Sequence, residues 1–230
     1  MTTPEAKAAD QAIRVRLWDL PTRLTHWALV LLVPFSWWTH QAGQMSWHRY
    51  SGYSVLALLV FRLFWGLAGG STARFAGFVK GPAAVAAYVR TLGARKAAGL
   101  PGHNPLGGWS VVAMLLTLIA QVSFGLFAVD VDGLESGPLS QYVSFDTGRR
   151  FAEWHEVSFN ILLALIALHL AAVVFYLVYK RDNLVGAMLT GRRLMASEPP
   201  TIRFAPWWMA LIGAALAAAV AWAVMKGFRF

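Results

Sequence analysis

The sequence contains no cysteine among its 230 residues. A chain without thiols forms no disulfides, ligates no iron–sulfur cluster through cysteine and attaches no haem through thioether bonds. Any haem that such a chain binds must therefore be held non-covalently, by histidine or methionine ligands.

Charged residues are also scarce. They make up 13% of the chain, whereas 57% of the residues are hydrophobic and the mean hydropathy is +0.52. This composition excludes a soluble domain of this length, and the apolar residues come in runs of membrane-spanning length, roughly 18 residues or more. The sequence therefore predicts an all-α polytopic membrane protein that contacts membrane lipid.

Acidic residues are fewer than basic residues. The chain has 11 Asp and Glu residues and 20 Lys and Arg residues, which gives a net charge of +9. In a soluble protein such an excess would suggest nucleic acid as a partner. Here the basic residues lie between the apolar runs, where they set membrane topology instead. No nucleic-acid partner is therefore predicted.

Five apolar runs predict five membrane spans. They cover residues 22–40, 47–68, 106–128, 152–179 and 206–225. A short polar turn separates the first two spans, which predicts an antiparallel hairpin. The long connection between the second and third spans contains GPAAVAAYVRTL, residues 81–92, a pattern that predicts a short helix lying on the membrane surface.

Lysine and arginine are distributed unequally between the two sides of these spans. One side holds fourteen of them and the other holds five, while Arg62 lies within a span and is left out. The more positive side is normally cytoplasmic. We therefore expect a cytoplasmic N-terminus, a C-terminus outside, and an outward-facing acidic loop over residues 129–150 on which a basic partner could dock. No apolar stretch with a cleavage site begins the chain, so no cleavable signal peptide is expected. The fourteen are Lys7, Arg14, Arg16, Arg23, Arg74, Lys80, Arg90, Arg95, Lys96, Lys180, Arg181, Arg192, Arg193 and Arg203, and the five are Arg49, Arg149, Arg150, Lys226 and Arg229.

Two histidines in the fourth span are the most informative residues. His155 and His169 are fourteen positions apart, so on a helix they share nearly one face and are separated by about 21 Å along the axis. Matching depth in the membrane pairs His26 of the first span with His169, and His48 of the second span with His155. This arrangement predicts two bis-histidine sites, one in each leaflet.

Haem b fits these pairs best, because its iron takes two axial imidazoles and its macrocycle is buried between helices. Zinc normally needs four clustered ligands, and copper would lack methionine or cysteine beside the histidines. A single buried histidine could instead be a packing group or a member of a proton relay. His40 is a rival to His48 at the outer surface, and His103 in the inner loop is predicted to be solvated.

Two arginines are candidates for binding the haem propionates, since guanidinium pairs with carboxylate through two hydrogen bonds. Arg49 follows His48 directly, and Arg62 lies fourteen residues after His48 on nearly the same face. Arg49 could equally be an interfacial cation. Glycines at 52, 66 and 125 would allow a porphyrin to approach the backbone, or would serve helix packing.

Several segments resemble the prokaryotic cytochrome b561 family, which includes the b-type cytochrome subunits of membrane-bound nickel–iron hydrogenases. They are RLWDLPTRLTHW in the first span, HRYSGYSVLALLVFRLFWG in the second, GHNPLGG in the loop, and WHEVSFNILLALIALHLAAV with RDNLVGAMLTGRR at the fourth. The resemblance extends over about residues 13–193. It implies haem ligands at His26, His48, His155 and His169, a four-helix core with two haems b, and electron exchange with the quinone pool.

The spans, the charge distribution and the resemblance together predict a domain organisation. We expect residues 1–20 to form a cytoplasmic N-terminal segment, residues 21–193 the cytochrome b561-like four-helix domain, and residues 194–230 a basic linker and an extra C-terminal transmembrane helix. The fifth span departs from the four-helix members of the family. Whether the chain forms a homodimer is left open.

The leading hypothesis is a transmembrane electron carrier in the respiratory chain of a bacterial inner membrane. It would connect an outside redox partner, such as a hydrogenase, a cytochrome c or another dehydrogenase, with quinone as a mobile substrate. Candidates for holding the quinone head group are Arg14, Arg16, Trp18 and Asp19 at the inner edge.

Two other functions are compatible with the sequence. The chain could be a superoxide oxidase that passes electrons from superoxide to ubiquinone, with Arg49, Arg149 and Arg150 attracting the anion, although the neighbouring acids argue against it. It could also be a non-redox anchor or transporter, but paired halves with broken helices are not evident.

Overall fold

The computed structural model describes residues 13–95, 102–195 and 201–229. Within these residues the chain forms eight α-helices, one short 3₁₀ helix at Ser140–Tyr142 and a two-stranded ribbon. The helices are α1 (Leu20–Gln41), α2 (Met45–Ala68), α3 (Phe75–Phe78), α4 (Pro82–Val89), α5 (Pro105–Phe127), α6 (Phe145–Val178), α7 (Leu184–Thr190) and α8 (Trp207–Met225), and the strands are β1 (Ile13–Arg16) and β2 (Arg192–Met195).

Four of the described helices, α2, α5, α6 and α8, are long and apolar enough to cross a membrane. Helix α1 is the other predicted span. It has membrane length, 22 residues, but polar side chains such as Arg23 and His26 interrupt its apolar sequence. It packs against α2 and is joined to it by three residues, with Gly43 at φ +68° in the turn. Helix α1 therefore runs antiparallel beside α2 at the same depth.

Helices α1, α2, α5 and α6 form a four-helix bundle around one apolar core. Val55 and Leu59 of α2 meet Leu118 of α5 and Leu162 of α6 there, and Leu29 of α1 packs against them. Within a membrane such a core is stabilised by close packing rather than by exclusion of water. The predicted all-α polytopic fold is confirmed.

Helix α8 lies outside this core and packs against α2. Its Gly213 is in close contact with the rings of Phe61 and Phe64, a small-residue contact typical of membrane helices. Beyond its C-terminal end, the Gly227 carbonyl accepts hydrogen bonds from Tyr142 Oη at 2.8 Å and Gln141 Nε2 at 3.2 Å. The fifth membrane helix is thus attached to the loop before α6.

We call the end of the bundle that holds the α1–α2 turn and residues 128–144 the outer end, and the opposite end the inner end. At the inner end β1 pairs antiparallel with β2, from Ile13 opposite Met195 to Arg16 opposite Arg192. Leu17 and Trp18 follow β1 and join Ala187 and Met195 in a small buried cluster. This ribbon closes the inner end against the bundle.

Helix α6 is longer than predicted, 34 residues from Phe145 instead of beginning near residue 152. Ser144 caps it by accepting a hydrogen bond from the Thr147 backbone amide at 3.3 Å. Its first turns are polar, which is why hydropathy placed the start later. The short helix predicted over residues 81–92 is present as α4, and none of its residues is buried.

Candidate cofactor sites

The outer end brings the rings of His48 of α2 and His155 of α6 close together across the bundle. Their ring centroids are 6.1 Å apart and their planes are nearly perpendicular, at 85°. Two imidazoles bound to one metal have centroids roughly 6 Å apart, because each metal–nitrogen bond is about 2 Å long. The spacing of this pair therefore fits a bis-histidine metal centre.

Both rings of the outer pair are oriented by backbone carbonyls. His48 Nδ1 lies 2.9 Å from the Ser36 carbonyl of α1, and His155 Nδ1 lies 2.8 Å from the Gln121 carbonyl of α5. A carbonyl only accepts, so each Nδ1 carries the proton and each Nε2 is an acceptor. This is the arrangement that holds a metal-ligating histidine in its binding tautomer. His155 Nε2 accepts from the Gln121 side-chain amide at 3.1 Å, a contact that a bound metal would replace.

Gln121 adds a side-chain contact that the sequence reasoning missed. Its amide Nε2 lies 3.1 Å from His155 Nε2, and its Oε1 accepts a hydrogen bond from Ser158. A carboxamide inside an apolar span is a signal in itself, since such groups need partners in hydrocarbon. The contact of His48 with the Ser36 carbonyl could not be predicted from the sequence, because every residue type has a backbone carbonyl.

His40 is the third histidine at the outer end. Its ring centroid is 5.5 Å from that of His48, but its side chain is exposed. His48, with its Nδ1 held by a carbonyl, is the better oriented of the two rivals.

The inner end brings His26 of α1 within electrostatic range of His169 of α6. His26 Nδ1 is buried and has no hydrogen-bond partner among the described residues. The ring of Trp27 packs edge-on against the His26 ring, with 5.1 Å between centroids. The fold therefore brings the predicted outer pair into ring contact and places the predicted inner pair within electrostatic range.

Arg62 of α2 is buried, and His103 lies within electrostatic range of both Arg62 and the inner pair. Its side chain packs over the Phe75 ring, with the guanidinium carbon 4.9 Å from the centroid. Its Nη1 is buried without a hydrogen-bond partner in the described residues. A buried cation is costly unless an anion pairs with it. This nitrogen fits the carboxylate of a bound group.

The arginines at the outer end are engaged differently. Arg49 forms an ion pair with Glu135 of the acidic loop, with both side chains about one-third exposed. Arg149 donates to the Val129 carbonyl at 3.0 Å. Arg49 therefore already has a protein partner, and its assignment to a propionate stays a prediction, as does the superoxide funnel.

The three glycines singled out in the spans have different surroundings. Gly125 lies against the His155 ring, and Gly66 lies against Phe75, so both serve side-chain packing. A Cβ on Gly52, one turn after His48, would meet nothing within 4 Å. Gly52 is therefore the one of the three that leaves room beside a ligand histidine.

The prediction that His103 is solvated is wrong. Its ring packs between Trp18 and Phe78, with centroid distances of 4.8 and 4.6 Å. Burial, together with the charges of Arg62, His169 and His26, lowers the pKa of His103 to about 3. The loop folds back against the bundle here, and Thr72 Oγ1 donates to the Leu17 carbonyl at 2.6 Å.

Two of the candidates for the quinone head group have structural roles. Asp19 is buried, caps α1 by accepting from the Thr22 amide at 2.8 Å, and accepts from Trp65 Nε1 at 3.1 Å. Trp18 is buried against His103. Arg16 stacks over the Phe204 ring at 4.6 Å, and Arg14 is exposed on the ribbon.

The described residues contain no group of three or more His, Asp or Glu side chains that could hold a metal ion by themselves. The predicted ligand histidines form one pair at each end of an all-α membrane bundle, with His40 and His103 nearby. Paired axial imidazoles are the ligand set of haem iron, and the macrocycle is buried by surrounding helices. Fold and site together define a membrane cytochrome of the b type.

Residues 17–191 match the family of prokaryotic cytochrome b561, and the chain belongs to this family. No curated protein and no solved structure gives a significant match. The family assignment confirms the resemblance seen in the sequence motifs. It makes the chain a bacterial membrane protein that binds b-type haem and transfers electrons to or from a partner in the membrane.

Proposed function

We propose that the chain is a di-haem cytochrome that carries electrons across the inner membrane, between a periplasmic redox partner and the quinone pool. The outer haem would be held by His48 and His155, and the inner haem by His26 and His169. The observation that carries this proposal is the pair of His48 and His155, whose rings are 6.1 Å apart and whose Nδ1 atoms both face backbone carbonyls.

Helix α6 contributes one ligand to each site. His155 and His169 are separated by about 21 Å along the axis, so the helix fixes the two sites at different depths. When bound, haem supplies one-electron redox chemistry. The protein orients the axial imidazoles and excludes water by packing, two means by which haem proteins tune potential.

The loop before α6 is the surface on which we place the periplasmic partner. It carries Asp130, Asp132 and Glu135, and its Val131 and Leu134 side chains are 72% and 84% exposed. Acidic groups around exposed apolar side chains favour a partner with a basic, partly apolar face. The excess of Lys and Arg at the inner end supports the outward orientation of this loop.

Quinone exchange is placed at the inner end, where His169 and the basic residues lie. Trp18 and Asp19 have structural contacts there, so the exposed Arg14 and the stacked Arg16 remain the proposed head-group contacts among the original four. Arg49 and Arg62 are proposed to bind propionates, Arg49 while also pairing with Glu135.

The experiment compares His155→Ala with His169→Ala in purified, haem-replete protein. We expect His155→Ala to abolish reduction by the periplasmic partner and to retain reduction of the inner haem by quinol. His169→Ala should show the reverse. His40→Ala is the matched control, because it removes an exposed histidine next to the outer site. Equal loss of both haems in either variant would contradict independent sites.

A further inference from the structure

A second group of side chains lies near the inner histidine pair without belonging to it. His103, in the loop before α5, lies within electrostatic range of Arg62, His26 and His169. Its Nδ1 is buried and has no hydrogen-bond partner among the described residues, as is also true of Arg62 Nη1. Two buried nitrogens without protein partners therefore belong to one inner cluster.

Buried polar groups without hydrogen-bond partners destabilise an apolar interior. Burying a polar group without a hydrogen bond costs about 1–3 kcal/mol, and an isolated charge costs more. Asp19 is the acid within electrostatic range of Arg62, but its oxygens already accept from the Trp65 indole and the Thr22 amide. The two nitrogens are thus suited to oxygen atoms that the nearby protein acid does not provide.

We infer that His103 and Arg62 together form a carboxylate-binding site for the propionates of the inner haem. This inference rests on the proposed function, because it needs a haem between His26 and His169. Arg62 supplies the positive charge of the site. His103 supplies an N–H donor but no charge at neutral pH, because burial holds its pKa far below 7.

The position of His103 is fixed by its neighbours on both sides in the chain. Gly102 adopts φ +86°, a left-handed conformation that glycine enters without strain. Asn104 caps α5 by accepting from the Gly107 amide at 2.7 Å, and its Nδ2 donates to Tyr176 Oη at 2.9 Å. With Trp18 and Phe78 packed on the ring, the imidazole is held in place by the protein itself.

The test is a spectroelectrochemical titration of the two haems in wild type, His103→Phe and His103→Asn. Phenylalanine keeps a flat ring between Trp18 and Phe78 but has no donor, whereas the asparagine amide places a donor close to the position of Nδ1. Losing the donor should favour the ferric state of the inner haem about tenfold, a fall of about 59 mV in midpoint potential for one electron. His103→Asn should recover most of this shift.

The outer haem is an internal control in every sample, and its potential should not change. Wild type without a haem on His26 and His169 would refute the proposed function, and this inference with it. An inner haem with unchanged content and potential in His103→Phe would overturn the inference alone. So would equal shifts of both haems, or a loss of quinol oxidation without any change in potential, since the latter would assign His103 to quinone.

Discussion

Replacing Gly125 by alanine should weaken the outer haem site and leave the inner site intact. Gly125 lies on α5, facing the ring of His155 on α6. A Cβ built there would be 2.7 Å from His155 Cε1 and 2.9 Å from Nδ1. The added methyl group would occupy space that the ligand imidazole now fills.

The size of the effect follows from these distances. Ordinary carbon contacts begin at 3.4 Å, so the ring has to move by 3.4 − 2.7, or about 0.7 Å. That movement strains the 2.8 Å contact between Nδ1 and the Gln121 carbonyl, and loss of such a supporting contact typically weakens metal binding about 10–100-fold. The helix itself gains up to about 1 kcal/mol, because alanine is a better helix former than glycine.

Haem content and reduced-minus-oxidised spectra of Gly125→Ala would measure this effect. We expect partial loss of the outer haem, with the inner haem signal and the helical circular dichroism signal unchanged. Gly81→Ala is the control, since a Cβ at Gly81 meets nothing within 4 Å. Retention of both haems with unchanged affinity would refute the placement of His155 as a ligand packed on Gly125.

Three further outcomes follow from contacts outside the ligand pairs. Glu135→Gln should change the thermal midpoint little, because exposed ion pairs contribute about 0–1 kcal/mol. It should raise the midpoint potential of the outer haem, because it removes a negative charge. An unchanged potential would place Arg49 and Glu135 away from that haem. Gly213→Ala should loosen α8 from α2, measured by proteolysis near residue 203, while both haems stay bound; loss of haem would give α8 a part in the sites. The haem-free chain should lose stability as pH falls from about 6.5 toward 3. In this range His103 binds a proton in the unfolded chain but not in the folded chain, where its pKa is about 3. This difference lowers the free energy of unfolding by up to about 1.4 kcal/mol per pH unit. Denaturant unfolding at pH 7 and 5 should show a smaller loss for His103→Asn, and an equal loss would contradict the buried state of the ring.

Hydropathy and helical periodicity predicted the features that depend on one helix at a time. They located α2, α5, α6 and α8 within a few residues, except for the polar start of α6. The shared face of His155 and His169 follows from their spacing alone. Their pairing with His48 and His26 followed from depth, because a residue's position along a membrane span predicts its height in the membrane.

The missed features depend on contacts between distant segments. Strand β1 is four residues long and its partner lies about 180 residues later, so four residues of weak alternation gave no usable signal. His103 was predicted to be solvated because it lies in the inner loop, yet its ring packs against Trp18 and Phe78. The carbonyl of Ser36 orients His48, and no residue type specifies that contact.

Two haems b per chain, on His48 with His155 and on His26 with His169, form the central prediction. The most direct measurement is haem b content per chain, in purified wild type and in His48→Ala and His26→Ala. We predict a ratio of two for wild type and one for each variant, with the remaining haem still low-spin. A wild-type ratio of one or zero, or an unchanged ratio in either variant, would contradict it.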